Sequence, residues 1–202
     1  MSTKAAHVHI RHRSDMLWLI LDRPPLNILT IEMLDQLTAA MRAAIEHPPR
    51  LVVLTGAGER AFCAGVDIHD HLDGREAEML RAVHDNCAAF EELRTHHIPS
   101  VALVKGYALG GGCELAALCD TVIAHEHASF GLPEVNLGVF PPIAAVYFPA
   151  LIGYNTTLRL MLTGETIKAC EALRLGLVHQ VLSSRHFLAD TEELLAVLAT
   201  SG

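Results

Sequence analysis

A chain of 202 residues with 51% hydrophobic and 19% charged content holds enough apolar material for one packed core, which excludes a disordered or fibrous chain. Its formal net charge of −8 argues against non-specific nucleic-acid binding, which needs clustered Lys and Arg, but leaves room for a phosphate-bearing ligand held locally. No apolar run approaches the roughly 20 residues of a membrane span. No apolar segment stands behind Met1–His7 as a secretory signal requires, and five cysteines without a Cys-x-x-Cys pair point to reducing cytoplasm rather than a disulfide frame or zinc ribbon.

In chain order, Val8 and Ile10 alternate with polar residues and are followed by the run Met16–Leu21, which predicts a hairpin. Asp22-Arg-Pro-Pro-Leu-Asn27 stops the pairing, because two prolines remove donors. Thr30 is a good N-cap, and Ile31, Leu34, Leu37, Met41 and Ile45 recur at helical spacing until His47-Pro-Pro49. Leu51–Thr55 is a short buried strand reached by a helical crossover, hence parallel to its predecessor. The next stretch, 56–61, fits the G-x-G-x-x-A dinucleotide fingerprint, yet no helix opens at its glycines and no second strand ends in an acid about 20 residues on. Met79, Val83, Cys87, Phe90 and Leu93 mark a long amphipathic helix ending before Ile98-Pro99. A strand over Val101–Val104, another over 120–125, a loop over Ser129–Glu134, helices over 143–152 and 158–162, a short helix over 169–175, a strand over 177–182 and a last helix over 188–198 complete the pattern.

Lys105-Gly-Tyr-Ala-Leu-Gly-Gly-Gly-Cys-Glu114 sits at a strand-to-helix junction. Three glycines there let the backbone approach a ligand and aim N–H groups at it, and Glu114 follows within one turn. Such a site stabilises developing negative charge and moves a proton. The competing reading is a tight turn packed under another element.

Taken together, 61–68 (Ala-Phe-Cys-Ala-Gly-Val-Asp-Ile), 106–116 and 130–138 (Phe-Gly-Leu-Pro-Glu-Val-Asn-Leu-Gly) resemble the crotonase, or enoyl-CoA hydratase/isomerase, superfamily, over about Leu19 to Val181. The resemblance implies an α/β fold: a crotonase-like spiral of repeated ββα units holding an acyl-CoA thioester. It implies that the N–H groups of Val66 and Gly111 bind the thioester oxygen, that Glu114 and Glu134 hold one water and deliver a proton to the α-carbon, and that Leu26, Ala64, Gly65, Asp67, Ile68, Gly110 and Phe140 contact the substrate. Coenzyme A then belongs to the substrate, no other cofactor or metal is expected, and the assembly is a homotrimer or homohexamer.

Two departures refine the resemblance. Phe140-Pro-Pro-Ile-Ala-Ala145 replaces the usual Gly-rich turn and, with Pro24-Pro-Leu-Asn27, looks like hydratases of cyclic dienoyl-CoA thioesters. The family also continues with a C-terminal helical region, so 1–185 reads as the acyl-CoA-binding core and 186–202 as the start of a shortened C-terminal region. Both glutamates favour water addition or loss over double-bond isomerisation. A non-catalytic binding or assembly module is the alternative from another class. The His-x-His pairs 7/9, 69/71 and 125/127 could offer metal ligands but bring no convincing third ligand, and Arg23 and Lys105 could meet CoA phosphates, although generic surface charge is the expected role of each.

Overall fold

Strands β1 (His7–Arg13) and β2 (Met16–Asp22) form the expected antiparallel hairpin, turning through Ser14 and Asp15, both at positive φ. They belong to a computed structural model that describes residues 7–72, 74–183 and 185–200. The parallel crossover is also present: helix α1 (Ile31–Glu46), capped by the Thr30 hydroxyl accepting from the Met33 N–H at 3.2 Å, carries the chain to β3 (Leu51–Gly56) beside β2.

From there the chain alternates between two sheets. β4 (Ala61–Cys63) leads through α2 (His69–Leu72) and α3 (Glu76–Thr95) to β5 (Ser100–Val104); β6 (Tyr107–Leu109) leads through α4 (Gly111–Leu118) to β7 (Thr121–His125); β8 (Ser129–Gly131) follows. The larger sheet runs β1-β2-β3-β5-β7-β10 and the smaller β4-β6-β8-β9, where β9 is Thr166–Lys168 and β10 is Gln180–Leu182. The expected spiral of ββα units takes this form, with each unit placing one strand in each sheet. Helices α5 (Pro142–Ile152), α6 (Tyr154–Thr163), α7 (Ala169–Leu175) and α8 (Phe187–Thr200) complete the described chain.

The large sheet is buried on both faces, so its central strands are continuously apolar. Alternate residues serve two cores: Leu17, Leu19, Val52, Leu54, Ala102 and Val104 face the helices α1 and α3, whereas Met16, Trp18, Leu51, Val53, Val101 and Leu103 face the other side. That second face is covered by α8 through Phe187, Leu195 and Ala199, so the 186–200 segment completes the core of the large sheet.

Some boundaries differ from expectation. Ser129–Glu134, expected as a loop, contains β8 and the start of a 3-10 turn over Pro133–Leu137. The three-residue strands β4, β6 and β9 are too short for a period of two to register. The strand expected over 177–182 begins only at Gln180, because the N–H groups of Leu177 and Val178 turn back to the Ala172 carbonyl and close α7. The fingerprint at 56–61 is a tight β3-to-β4 turn without a helix; a Cβ on Gly56 would stand 2.4 Å from the Phe62 carbonyl oxygen.

Asn27 fastens the Pro-Pro turn to this framework. Buried and at φ +54°, it accepts from the Arg23 N–H and donates through Nδ2 to the carbonyls of Ala57 (3.0 Å) and Ala61 (2.8 Å). Removing it takes this donor from the buried Ala61 carbonyl and from the part-buried Ala57 carbonyl. Asn27→Ala is therefore expected to lower the unfolding free energy in urea by about 2–3 kcal/mol; a change within about 0.5 kcal/mol would contradict the assigned role.

Candidate active site

β4, β6 and β8 are adjacent and parallel, so the loops leaving their C-terminal ends emerge side by side. These loops carry Val66, Gly110–Glu114 and Glu134. Ligands in open parallel sheets bind at such ends.

The first loop is held against the segment 26–29. The Ala64 N–H donates to Leu26, the Leu29 N–H to Gly65 and the Asp67 N–H to Leu29, all at 2.8–3.0 Å. This pattern uses the groups flanking Val66 and leaves its own N–H with no protein acceptor among the described residues; the same holds for the N–H of Gly111, first residue of α4.

Each glycine of the triplet meets a different constraint. Gly110 is at φ +53°, and a Cβ there would stand 2.8 Å from Glu134 Oε1. A Cβ on Gly111 would lie 3.0 Å from Val66 Cγ1 and 3.8 Å from Val66 N, which places the two amides together. A Cβ on Gly112 would lie 2.1 Å from the Cys63 carbonyl oxygen, so only glycine lets α4 lie on β4.

Glu114 is 4% exposed, and its Oε1 accepts from the Ala144 N–H at 2.8 Å. Burial drives its carboxyl up to about 7 against the pull of that N–H; the nearby Glu134 charge adds to the rise and the Ile143 N–H offsets part of it. Pro141, which caps α5, supplies no side-chain acceptor to the helix start, so a carboxylate from α4 does so instead. Glu134 is half-buried and also raised by burial, and its Oε2 is buried without a protein partner among the described residues. Burial raises both carboxyls, Glu114 to about 7, and the Glu134 charge acts on Glu114, which suits the pair to acid–base work.

Of the remaining expected site residues, Leu26, Ala64, Gly65 and Gly110 shape the backbone around these groups. Ile68 and Phe140 are exposed, at 46% and 67%. The Asp67 side chain is already engaged. Its Oδ2 lies 2.6 Å from Arg23 and its Oδ1 accepts from the His69 N–H at 3.0 Å; burial works to raise its pKa, but these two contacts outweigh it and the carboxyl is lowered. Arg23 and Lys105 are not generic surface charges. Arg23 also donates to the Ile28 carbonyl, clamping the 26–29 segment, and Lys105 is 6% exposed and reaches Glu59 at 2.7 Å.

The contact of Ala144 with Glu114 was not foreseen; the one available signal was Pro141-Pro142, since proline at a helix's first turn marks an N-terminus able to face an acid. No group of three or more His, Cys, Asp or Glu side chains among the described residues is placed to hold a metal ion. His9 bonds Asp22 at 2.8 Å, the rings of His125 and His127 lie tilted to each other with centroids 5.1 Å apart, and the side chain of His71 lies outside the described residues. No described helix is long and apolar enough to cross a membrane.

Comparison with known proteins gives a consistent result. Residues 12–202 match the family described as enoyl-CoA hydratase/isomerase. The chain is 34% identical to a crotonyl-CoA hydratase of Syntrophomonas wolfei, over 91% of this chain and 72% of that protein. It is also 34% identical to a carnitinyl-CoA dehydratase of Proteus mirabilis, over 96% and 75%. Among solved structures, an enoyl-CoA hydratase from Bacillus anthracis superposes with a TM-score of 0.87 at 33% identity, covering 96% of this chain and 77% of that one.

Burying Glu114 has a thermodynamic consequence. Its folded pKa of about 7 stands above the ordinary 4.5, so between those values the unfolded chain has released a proton that the folded chain retains. Stability is thus intact below about pH 4.5, falls as pH rises through the window, and levels off above 7, a loss on the order of 3 kcal/mol at most. Glu114→Gln is expected to be more stable than the parent at pH 8 and equal to it at pH 4, as measured by urea titration; equal stability at both would refute this.

Proposed function

Because the chain belongs to the enoyl-CoA hydratase/isomerase family, we propose that it is a hydro-lyase that adds or removes water across the α,β double bond of an enoyl-CoA thioester. The observation that carries the reading is the meeting of two amides without acceptors among the described residues, Val66 and Gly111, with the buried carboxyl of Glu114 and the half-buried one of Glu134.

In this reading the thioester oxygen accepts from the Val66 and Gly111 N–H groups. Ionised Glu114, its other oxygen held by the first turn of α5, takes a proton from water as the water oxygen bonds to the β-carbon. The π electrons move toward the thioester oxygen as an enolate, which the two amides stabilise. Protonated Glu134 then delivers its proton to the α-carbon. The net transfer is one proton from Glu134 to Glu114, reversed by exchange with solvent. Coenzyme A arrives as part of the substrate, and the scheme calls on no further cofactor.

For the acyl group we propose a cyclic dienoyl thioester. The support is the stiff turn Phe140-Pro-Pro142, where Pro141 is extended and Pro142 begins α5, together with Pro24-Pro-Leu-Asn27. We also propose a cytoplasmic homotrimer or pair of trimers. Leu137, Val139, Phe140, Val146, Tyr154 and Leu162 are large apolar residues between 57% and 73% exposed, a surface of the kind that assembly covers.

Glu114→Gln and Glu134→Gln keep shape but remove charge and proton capacity. Each is expected to slow hydration of linear or cyclic enoyl-CoA thioesters by about 10²-fold or more while acyl-CoA affinity, followed by calorimetry, changes little. Near-parental hydration in either variant would remove the two-carboxyl mechanism. Exchange of the α-proton that persists in Glu114→Gln would instead identify a double-bond isomerase, and absence of acyl-CoA binding to the parent would identify a non-catalytic module.

A further inference from the structure

We infer that Tyr147, Glu91 and Arg94 form a latch of positioning residues that holds α5 where its first turn donates to Glu114. The inference rests on the reading of Glu114 as a catalytic carboxyl.

Apolar packing of Ala144, Phe148 and Ile152, with Ile143 and Tyr147 partly buried beside them, seats α5 on the core but supplies no polar tie at its first turn. Of its eleven residues only Ala144, Phe148 and Ile152 are buried, it lacks a side-chain cap of its own, and Pro149 removes one of its internal hydrogen bonds. Its polar tie to α3 is the Tyr147 hydroxyl, which donates to Glu91 Oε1 at 2.9 Å. That same oxygen lies 2.7 Å from Arg94 Nη1. Arg94 in turn reaches Asp120 through Nε at 2.8 Å and donates through Nη2 to the Leu118 carbonyl, the last residue of α4. Asp120 is itself fixed by the N–H and hydroxyl of Ser100, the first residue of β5, at 2.8 and 2.7 Å.

One guanidinium therefore connects both elements that determine the setting of Glu114. It grips the end of α4, the helix that carries the carboxyl, and through Glu91 and Tyr147 it grips α5, the helix that donates to it. Tyr147 lies one turn beyond Ile143 and Ala144, so movement of its ring away from α3 would carry those N–H groups with it. The hydroxyl is the only part of Tyr147 that makes this tie, and removing one oxygen atom tests it.

The groups acting on Glu114 come from several elements: Glu134 from the 3-10 turn, the N–H groups of Ile143 and Ala144 from α5, and the thiols of Cys87 on α3 and Cys113 on α4, each of which feels the Glu114 charge. Of these, the latch governs the two N–H groups, which favour the ionised form. Releasing it raises the titration midpoint of Glu114.

The test is a carbon NMR titration of the full chain labelled at glutamate carboxyls, with the Glu114 resonance identified by its loss in Glu114→Gln. Tyr147→Phe is expected to raise the Glu114 midpoint by about half a pH unit or more and to lower kcat about threefold to tenfold with KM within about twofold. Glu91→Ala should reproduce this, whereas Glu91→Gln, which keeps an oxygen for the Tyr147 hydroxyl, should titrate as the parent does. An unchanged midpoint in Tyr147→Phe, or the same shift in Glu91→Gln as in Glu91→Ala, overturns the latch. The two readings separate cleanly: an unmoved midpoint beside active hydration removes the latch alone, and a moved midpoint in a protein that hydrates no enoyl-CoA thioester removes the hydratase alone.

Discussion

Parallel pairing of β4, β6 and β8 is the constraint on which the site depends. Ala61 pairs with Tyr107 and Tyr107 with Ser129, so three chain segments separated by dozens of residues start level. Adjacent strands lie roughly 4.8 Å apart, and a few residues further on each delivers one component: Val66, Gly111 with Glu114, and Glu134. The strands themselves are three residues long and could not persist alone. They persist because each is tied to a long strand of the large sheet, β3, β5 or β7, whose two faces are both sealed, one by α1 and α3 and the other by α8.

The close approach of α4 to β4 makes this arrangement usable. Gly112 lies on the Cys63 carbonyl, and any side chain at 112 would lift the helix and carry Glu114 away from Ala144 and Glu134. Gly110 has a separate role, since the space its missing Cβ leaves is where Glu134 Oε1 sits. A triplet that sequence reasoning treats as one flexible unit is thus three independent fits: to a carboxylate, to a second loop and to a strand. Both readings of it, a turn packed beneath another element and a backbone approach to a ligand, describe part of the same structure.

Much of this was legible in the residues and some was not, for identifiable reasons. The helix α1 and the long part of α3 declared themselves by apolar spacing, and the buried strands β2, β3 and β5 by continuous apolar runs, because both features record burial directly. Val66, Gly111, Glu114 and Glu134 came from the resemblance of three motifs to one family, and those motifs lie on loops and a helix that leave adjacent strands. Contacts between distant segments left no such trace. Glu114 to Ala144 spans 30 positions, and Arg23 to Asp67 spans 44; nothing local in either stretch changes when they meet. Lys105 misled for a related reason: a lysine is usually solvated, but here the tight turn into Gly106 buries it and Glu59 supplies the counter-charge.

The carboxyls show what the fold gives up for its chemistry. Burial raises both, Glu114 to about 7 with the Glu134 charge adding to its rise, and the polar atom Glu134 Oε2 goes without a protein partner among the described residues. A site optimised for stability would fill this space with apolar side chains or pair each acid with a cation, as Asp67 is paired with Arg23 two strands away. That contrast is informative. Asp67 follows Val66 directly, has its pKa lowered and serves structure, whereas Glu114 and Glu134 have theirs raised and neither is paired with a cation among the described residues. Around one small sheet the protein uses the same functional group in opposite electrostatic settings, and the direction of the shift separates the acid that clamps the loop from the two whose protonated form burial favours.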